Sequence, residues 1–256
     1  MFNEVSKYWE TCFPFDVIVS YFTNKNKYAL EHKEFAFGEY YQRYSKQNKT
    51  PWRFTTVHEL IKHLCVHKFN TFYMGPTYLP GNNRKDPYVT HPRPLCFDID
   101  LDDYHAEVST NRPIYMAKVV RTCECKARTC CDICWKEIAV KPIKDCFQFF
   151  KQVMQFKEVL CIFSGNRGFW FIILDPDVWE WDQISRECIV KRVPAIVDIK
   201  VTTQGTHLMK IPLTPHKTTG LICQPIDEYF LPSQAVHYSK MNLEVMTKFI
   251  EILKKI

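Results

Sequence analysis

Five stretches of the chain place apolar residues three or four positions apart, which is the spacing of one face of an α-helix. They predict helices over residues 3–23, from Thr56, from Pro142 to about 156, over 177–191 and from about Asn242 onward. Thr56 followed by Glu59 is a capping box, in which each residue satisfies an amide of the other at a helix start. The last helix is amphipathic, so we expect it to pack on the chain's own core; partner binding is the alternative.

Short apolar or alternating runs between these helices predict β-strands. They lie at residues 34–44, 69–75, 95–100, 159–163, 169–174, 195–201 and 220–224. Residues 76–94 hold five prolines and predict a loop. Because helices and strands follow one another without a regular βαβ alternation, the order favours an α+β fold, and the length suits a single domain over residues 1–256.

Composition narrows the class of protein. Hydrophobic residues make up 46% and charged residues 24%, ordinary globular values that exclude a disordered chain, a collagen-like fibre and a coiled coil. The chain has only 7 glycines and no Gly-x-x-x-x-Gly-Lys run, which argues against a Gly-rich nucleotide loop. No apolar run approaches the roughly 18 residues of a membrane span, so we expect a soluble intracellular protein without membrane contact. The net charge of +6 suits a nucleic-acid partner without identifying one.

Three aspartates are candidate metal ligands. Asp98 and Asp100 alternate in the predicted strand 95–100, so their carboxylates share one face. Mg²⁺ takes one or two protein carboxylates and leaves other positions to substrate phosphates; a solvated acidic strand end is the alternative. Asp198 lies among apolar residues of the predicted strand 195–201, where a charge is costly unless it is paired or binds a metal. Three such aspartates match a two-metal phosphoryl-transfer site.

Cationic and polar residues follow two of these strands. Ser164 and Arg167 belong to the Ser-Gly-Asn-Arg-Gly turn between two apolar strands, and Arg binds phosphate oxygens in a bidentate manner. The alternative is a plain hairpin turn. Lys210 and His216 come later, beside two prolines, and Lys is a point charge suited to a triphosphate.

Five of the 12 cysteines lie between positions 123 and 134 and predict a structural zinc module at about 120–136. Four thiolates hold Zn²⁺ tetrahedrally. The predicted ligands are Cys123, Cys125, Cys131 and Cys134. Cys130 is an alternative to Cys131, and a redox-active or merely Cys-rich loop is the alternative to a metal site.

The order of these motifs resembles a known family. Along the chain come FDIDLDDY, a Cys cluster ending in CDICW, then SGNRG, VDIKVT, HLMKIPLTPHKTTG and QPID. This order is similar to the catalytic small subunit of eukaryotic-type DNA primase, in the archaeo-eukaryotic primase superfamily. Upstream, EFAFGEYYQRY is similar to that family's early strand pair, so the resemblance runs from about residue 7 to 227.

The resemblance implies an architecture and a set of site residues. The fold would be two β-sheet layers with flanking helices around a catalytic cleft, with the small zinc module attached. Mg²⁺ or Mn²⁺ would be bound by Asp98, Asp100 and Asp198. The nucleotide would be held by Glu34, Arg43, Ser164, Arg167, Lys210 and His216.

The resemblance also implies an activity and partners. The activity is template-directed synthesis of short RNA primers from ribonucleotides on single-stranded DNA. The partners are an iron–sulfur-containing primase large subunit and a replicative DNA polymerase or helicase, in the nucleus or at a viral replication site. The short chain resembles the small primases of large DNA viruses. Alternatives are a primase-polymerase that uses deoxynucleotides, a metal-dependent nuclease, and a non-catalytic zinc-bearing scaffold subunit that binds nucleic acid or a polymerase.

Three features depart from the family pattern, and one is the cysteine spacing, since the family tends to have adjacent cysteines in the first pair. Asn166 and Trp170 stand where the family motif has a second basic residue and a histidine. Only about 30 residues separate Gly168 from Asp198, where family members carry a helical insertion. Trp170 is the residue that favours the scaffold alternative, whereas the three aspartates favour the enzyme.

Overall fold

The computed structural model describes residues 2–38, 41–44, 51–78, 91–101 and 130–254. In these ranges the chain forms helices around two small antiparallel sheets, which confirms the predicted α+β class. None of the helices in these ranges is long and apolar enough to cross a membrane. Residues 102–129 fall outside them, and so does most of the predicted zinc module.

The structure has eight α-helices and six strands within the described ranges. The helices are α1 (Phe2–Thr11), α2 (Phe15–Phe22), α3 (Val57–Val66), α4 (Asp132–Ile138), α5 (Val140–Gln148), α6 (Gln183–Val190), α7 (Ile199–Thr203) and α8 (Leu243–Lys254). The strands are β1 (Lys33–Phe37), β2 (Phe72–Thr77), β3 (Leu95–Asp100), β4 (Val159–Phe163), β5 (Gly168–Ile173) and β6 (Met209–Lys210). A π-helical turn, Phe149–Val153, extends α5, and 3₁₀ turns occupy Leu30–His32, Pro176–Val178, Pro232–Gln234 and Tyr238–Lys240.

The two sheets have three antiparallel strands each. The first sheet has the order β1-β2-β6 and the second the order β3-β5-β4. In the second sheet Asp98 lies opposite Trp170, and Asp100 lies opposite Gly168. Cross-strand partners share a face, so the face with Asp98 also carries Trp170.

The other face of the second sheet forms much of the core. Phe97 packs on Phe150 with ring centroids 4.8 Å apart, and Phe171 packs edge-to-face on Phe147 at 5.0 Å. These contacts bury one side of β3 and β5 against α5 and its π-helical turn. They leave the side with the aspartates facing the first sheet.

The predicted helical regions are confirmed, but two of them are divided. Thr56 Oγ accepts a hydrogen bond from the Glu59 amide at 3.2 Å, which confirms the capping box at the start of α3. The predicted helix 3–23 is instead two helices, α1 and α2, separated at Pro14, because proline has no amide hydrogen to donate within a helix. The predicted helix 177–191 is a 3₁₀ turn followed by the shorter α6.

Most strand predictions are confirmed, and two are wrong. Residues 95–100 and 159–163 form strands with the predicted bounds, and 168–173 lies within one residue of its prediction. Residues 195–201 do not form a strand, because Asp198 caps the helix α7. Residues 220–224 make only isolated bridges, one of them between Ile222 and Pro215.

The C-terminal helix α8 packs on the chain's own core, as expected. Met246, Phe249 and Leu253 are buried on its inner face. The Tyr21 hydroxyl donates to the Leu253 carbonyl at 2.6 Å, which ties the end of α8 to α2.

Candidate active site

Two aspartates of β3 line a pocket of about 650 Å³ formed by residues of both sheets. Asp98 is half-buried and Asp100 is exposed, and both lie on the face predicted from their alternation. Arg167, Lys210 and His216 line the same pocket. The pocket therefore combines two carboxylates with cationic and hydrogen-bonding groups, which is the donor set expected for a metal-bound triphosphate.

Asp198 meets β3 through its backbone. Its amide donates to the Asp98 carbonyl at 2.9 Å, so the two residues are neighbours although they are far apart in sequence. Its carboxylate is exposed and accepts from the Lys200 amide at 2.9 Å, which caps α7. The expectation of a carboxylate buried in the middle of a strand is wrong, because this residue lies at a helix start.

The donor set can be tested for its fit to a divalent cation. Among the residues that the structure describes, no group of three or more His, Cys, Asp or Glu side chains is arranged to hold a metal ion. Asp98 and Asp100 remain as an adjacent carboxylate pair on the pocket, and Mg²⁺ needs only one or two carboxylates when phosphates supply further oxygens. The pair fits such a cation, whereas Asp198 adjoins Asp98 through its backbone and is not among the residues that line this pocket.

His216 is held in one tautomer at the pocket wall. The amides of Thr218 and Thr219 donate to its Nδ1 at 3.3 and 3.4 Å, so the proton of the neutral ring lies on Nε2. Burial is the largest cause that lowers the pKa of His216 from 6.5 to about 3, with Lys210 and Lys217 next. At neutral pH the ring is therefore an uncharged hydrogen-bond donor.

The Ser164–Gly168 turn packs against the His216 segment. The Ser164 hydroxyl accepts from the Asn166 and Gly168 amides at 3.2 and 3.1 Å. Gly165 has a φ of +81°, and a Cβ there would lie 2.7 Å from the His216 Cβ. Lys210 Nζ donates to the Ser164 carbonyl at 3.4 Å. The turn is thus part of a packed assembly with Lys210 and His216.

Glu34 and Arg43 form an ion pair at the edge of the pocket. Arg43 lines the pocket and donates to Glu34 Oε1 at 3.1 Å. Glu34 is buried and also accepts from the Tyr78 hydroxyl at 3.0 Å. Burial raises the pKa of Glu34, and Arg43 is the largest of the causes that lower it. The buried Glu34 carboxylate therefore orients the Arg43 guanidinium at the edge of the pocket.

Four further pocket residues were not among the predicted site residues, and one of them, Trp170, is the departure from the family motif described above. Tyr41 and Tyr73 lie with ring centroids 4.6 Å apart and form an aromatic edge. His207 donates from Nδ1 to the Leu208 carbonyl at 2.6 Å. The indole Nε1 of Trp170 is buried without a hydrogen-bond partner in the described chain. Position within the quoted motifs was the available signal for His207 and Tyr41, whereas Tyr73 had none.

The predicted zinc ligands are only partly described. Cys131 precedes α4 as its N-terminal cap residue, and Cys134 lies buried in the first turn of that helix. Cys123 and Cys125 lie outside the described residues. The zinc module stays a prediction, and so does the choice between Cys130 and Cys131.

Comparisons with known proteins add an independent observation. The family model for the DNA primase small subunit matches residues 97–197. The DNA primase small subunit of Schizosaccharomyces pombe is 29% identical over 84% of this chain, which covers 45% of that protein. That of Saccharomyces cerevisiae is 23% identical over 86% of this chain and 50% of its own length. The chain therefore spans about half the length of the curated relatives it matches.

The fold has a solved neighbour. The polymerase domain of Mycobacterium tuberculosis ligase D, determined in complex with DNA, aligns with a TM-score of 0.52 at 10% identity. The alignment covers 99% of this chain and 90% of that domain. At this identity the likeness concerns the fold alone. Family and sequence comparisons together confirm the resemblance that the motifs predicted, to the catalytic small subunit of eukaryotic-type DNA primase.

Proposed function

We propose that this chain is a primase catalytic subunit that synthesises short RNA primers from ribonucleotides on single-stranded DNA. The observation that carries the proposal is the pocket itself. Asp98 and Asp100 line it together with Arg167, Lys210 and His216. The similarity to DNA primase small subunits supports the same reaction class, nucleotidyl transfer.

The proposed chemistry assigns a role to each group. Asp98 and Asp100, with Asp198, would hold Mg²⁺ or Mn²⁺. When bound, these ions lower the pKa of an attacking 3′-hydroxyl and offset the charge of the transferred phosphoryl group. Arg167 and Lys210 neutralise the triphosphate.

The remaining nucleotide ligands act by hydrogen bonding and orientation. His216 donates a hydrogen bond from Nε2 without carrying charge, because its pKa lies far below neutrality. Arg43, oriented by Glu34, contacts the incoming or initiating nucleotide. The Ser164 hydroxyl shapes the turn that presents Arg167.

The proposal includes a second metal and macromolecular partners. Structural Zn²⁺ would be bound by Cys123, Cys125, Cys131 and Cys134. The template is single-stranded DNA, whose phosphate contacts make binding fall steeply with salt. A primase large subunit, and a replicative DNA polymerase or helicase, would complete the assembly.

Two other functions remain in competition. Trp170 favours a non-catalytic scaffold subunit, because it replaces a family histidine in the pocket with an indole that forms no hydrogen bond in the described chain. A primase-polymerase would use the same site with deoxynucleotides. Calorimetry with Mn²⁺ and a nucleotide separates the scaffold, which would show no metal-dependent nucleotide binding.

The test is de novo synthesis on single-stranded DNA, with the chain alone and then with candidate large subunits. Ribonucleotides should support labelled primers, and deoxynucleotides should not replace them. The double variant Asp98→Asn, Asp100→Asn should abolish synthesis and keep the melting temperature, since one carboxylate is exposed and the other half-buried. The control removes two exposed carboxylates that do not line the pocket, Asp177→Asn with Glu251→Gln. Full synthesis by the Asp98/Asp100 variant contradicts the proposal.

A further inference from the structure

Two buried arginines lie behind the strand that carries Asp98. Arg93 and Arg186 are each only 2% exposed. Both donate to backbone carbonyls, and neither forms an ion pair with a carboxylate in the described ranges. Burying a guanidinium group without a carboxylate partner is destabilising. The carbonyl groups that accept its hydrogen bonds therefore indicate its structural role.

Arg93 contacts the end of the helix next to Asp198. Its Nη2 donates to the Val201 carbonyl at 3.0 Å and to the Thr202 carbonyl at 2.6 Å. These carbonyls lie in the last turn of α7, where they lack partners within the helix. A helix of five residues has little stability of its own, so outside contacts decide whether it forms.

Other hydrogen bonds join α7 to β3. The Thr202 hydroxyl donates to the Cys96 carbonyl at 2.7 Å, and the Asp198 amide donates to the Asp98 carbonyl at 2.9 Å. Arg93 itself lies two residues before the start of β3, and its carbonyl accepts from Arg186 at 3.0 Å. One buried side chain therefore links the beginning of β3 to the end of α7.

The bonding of Arg93 is incomplete in a way that argues against a purely stabilising role. Its Nε is buried without a hydrogen-bond partner in the described chain. An unmade hydrogen bond at a buried charged group is destabilising. An apolar side chain would fill the same space without that cost, but it could not hold the two α7 carbonyls.

We infer that Arg93 is a positioning residue for the candidate active site: it fixes α7 so that Asp198 stays beside Asp98. This inference rests on the proposed function, because it gives Asp198 a task at the metal. Arg93 touches neither substrate nor metal in this role and acts through α7 alone. Its loss should weaken the response to metal more than the binding of nucleotide.

The experiment compares the full chain with Arg93→Met and Arg93→Lys in two assays. Hydrogen exchange should show lost protection of the amides of residues 198–204 in Arg93→Met, with β3 and β5 still protected. The Mn²⁺ concentration for half-maximal primer synthesis should rise about 10-fold or more, the range typical of outer contacts that orient metal ligands. The KM for nucleotide should stay within about twofold of the parent value, since Arg93 does not line the pocket. Arg93→Lys should recover part of the metal response.

Arg186→Lys is the matched control. Arg186 is as deeply buried and also donates to backbone carbonyls, but none of its acceptors belongs to α7. Its replacement should lower the melting temperature and leave the Mn²⁺ dependence near the parent value. If Arg93→Met does not fold, Thr202→Val takes its place, because it removes the neighbouring hydrogen bond to the Cys96 carbonyl. It should likewise raise the Mn²⁺ concentration needed for half-maximal synthesis.

Three outcomes would overturn the inference. The first is unchanged protection of residues 198–204 in Arg93→Met, and the second is a loss of protection in that variant that extends equally over β3 and β5. The third is a shift in the Mn²⁺ dependence of Arg186→Lys as large as that of Arg93→Met. If the parent chain makes no primers, the proposed function fails, and the exchange assay still decides whether Arg93 holds α7 against β3.

Discussion

Two segments with nearly the same local pattern adopt different structures. Residues 95–100 read Leu-Cys-Phe-Asp-Ile-Asp, and residues 195–201 read Ala-Ile-Val-Asp-Ile-Lys-Val. The first is the strand β3, and the second is an extended stretch that turns into α7 at Asp198. Apolar residues on both sides of an aspartate therefore do not determine a strand; the contacts available to the backbone do.

The difference lies in hydrogen-bond partners. Every residue of β3 has a partner on β5, from Leu95 opposite Ile173 to Asp100 opposite Gly168. In the later segment the Asp198 amide donates to the Asp98 carbonyl, and within the described ranges no ladder joins residues 195–201 to β3. Without a ladder to complete, the Asp198 carboxylate accepts from the Lys200 amide, which is the usual behaviour of an aspartate at a helix start.

The largest expected effect is a difference in stability between alanine variants of the two isoleucines that directly follow Asp98 and Asp198. Ile99 is fully buried, whereas Ile199 is 58% exposed. Ile99→Ala should lower the free energy of unfolding by about 2–5 kcal/mol, because it leaves a cavity in the core. Ile199→Ala should change it by less than about 0.5 kcal/mol. Chemical denaturation of both variants measures the pair, and similar losses would mean that residues 195–201 are buried as a strand after all.

The sheet itself could be predicted from the sequence because its signals are local. The apolar runs of β4 and β5 and the alternation of Asp98 and Asp100 need no information from elsewhere in the chain. The capping box of α3 is equally local. The end of the N-terminal helix at Pro14 was also in the sequence, but the regular spacing of apolar residues around it led to one continuous helix.

The second expected effect is a difference in stability between alanine variants of two glycines. Gly165 follows β4, which belongs to the same sheet as β3, and Gly205 follows α7. Gly165 comes just after β4 with a φ of +81°, and a Cβ there would lie 2.7 Å from the His216 Cβ and 2.8 Å from the Leu221 carbonyl oxygen. Gly165→Ala should therefore cost about 2–4 kcal/mol from backbone strain and overlap. Gly205, shortly after α7, has nothing within 4 Å of such a Cβ, so Gly205→Ala should stabilise by about 0.4–1 kcal/mol.

Thermal or urea unfolding of the two glycine variants measures this contrast. Equal effects would show that the turn after β4 is no more constrained than the loop after α7. Loss of nucleotide binding in Gly165→Ala without loss of stability would also contradict the expectation, since the packing against His216 should affect both.

The candidate site could be predicted only as a set of residues. The order of motifs along the chain pointed to Asp98, Asp100, Arg167, Lys210 and His216, and these five line one pocket. Their three-dimensional arrangement depends on long-range contacts that no local pattern reports. The role of Arg93 is an example, since it depends on carbonyl groups more than 100 positions away. Tyr41 and Tyr73 reach the pocket for the same reason.

A smaller effect is expected from two substitutions of Asp198, which distinguish the charge of its carboxylate from its role as a helix cap. Asp198→Ala removes the acceptor of the Lys200 amide and should cost about 1 kcal/mol of stability. Asp198→Asn keeps a capping oxygen and should cost only a few tenths of that. Both should impair metal-dependent synthesis if the carboxylate binds metal. Melting curves beside synthesis assays distinguish the two roles, and wild-type synthesis by Asp198→Asn would remove this residue from the site.

A further expected effect is a difference in acid sensitivity between His216 and His207, which lie on different sides of the pocket. Burial lowers the pKa of His216 to about 3, and Lys210 and Lys217 act in the same direction. Burial also lowers the pKa of His207, but there the hydrogen bond to the Leu208 carbonyl is the largest cause that raises it, and Asp198 acts in the same direction to a smaller extent. A histidine whose pKa is lower in the folded chain stabilises fully above its unfolded pKa of about 6.5, and its contribution is lost as the pH falls towards the folded value.

The free energy of unfolding measured at pH 7 and at pH 5 should therefore differ less in His216→Asn than in the parent chain, and His207→Asn should reduce the difference by a smaller amount. Equal reductions in the two variants would mean that the hydrogen bond to the Leu208 carbonyl and the charge of Asp198 do not raise the pKa of His207.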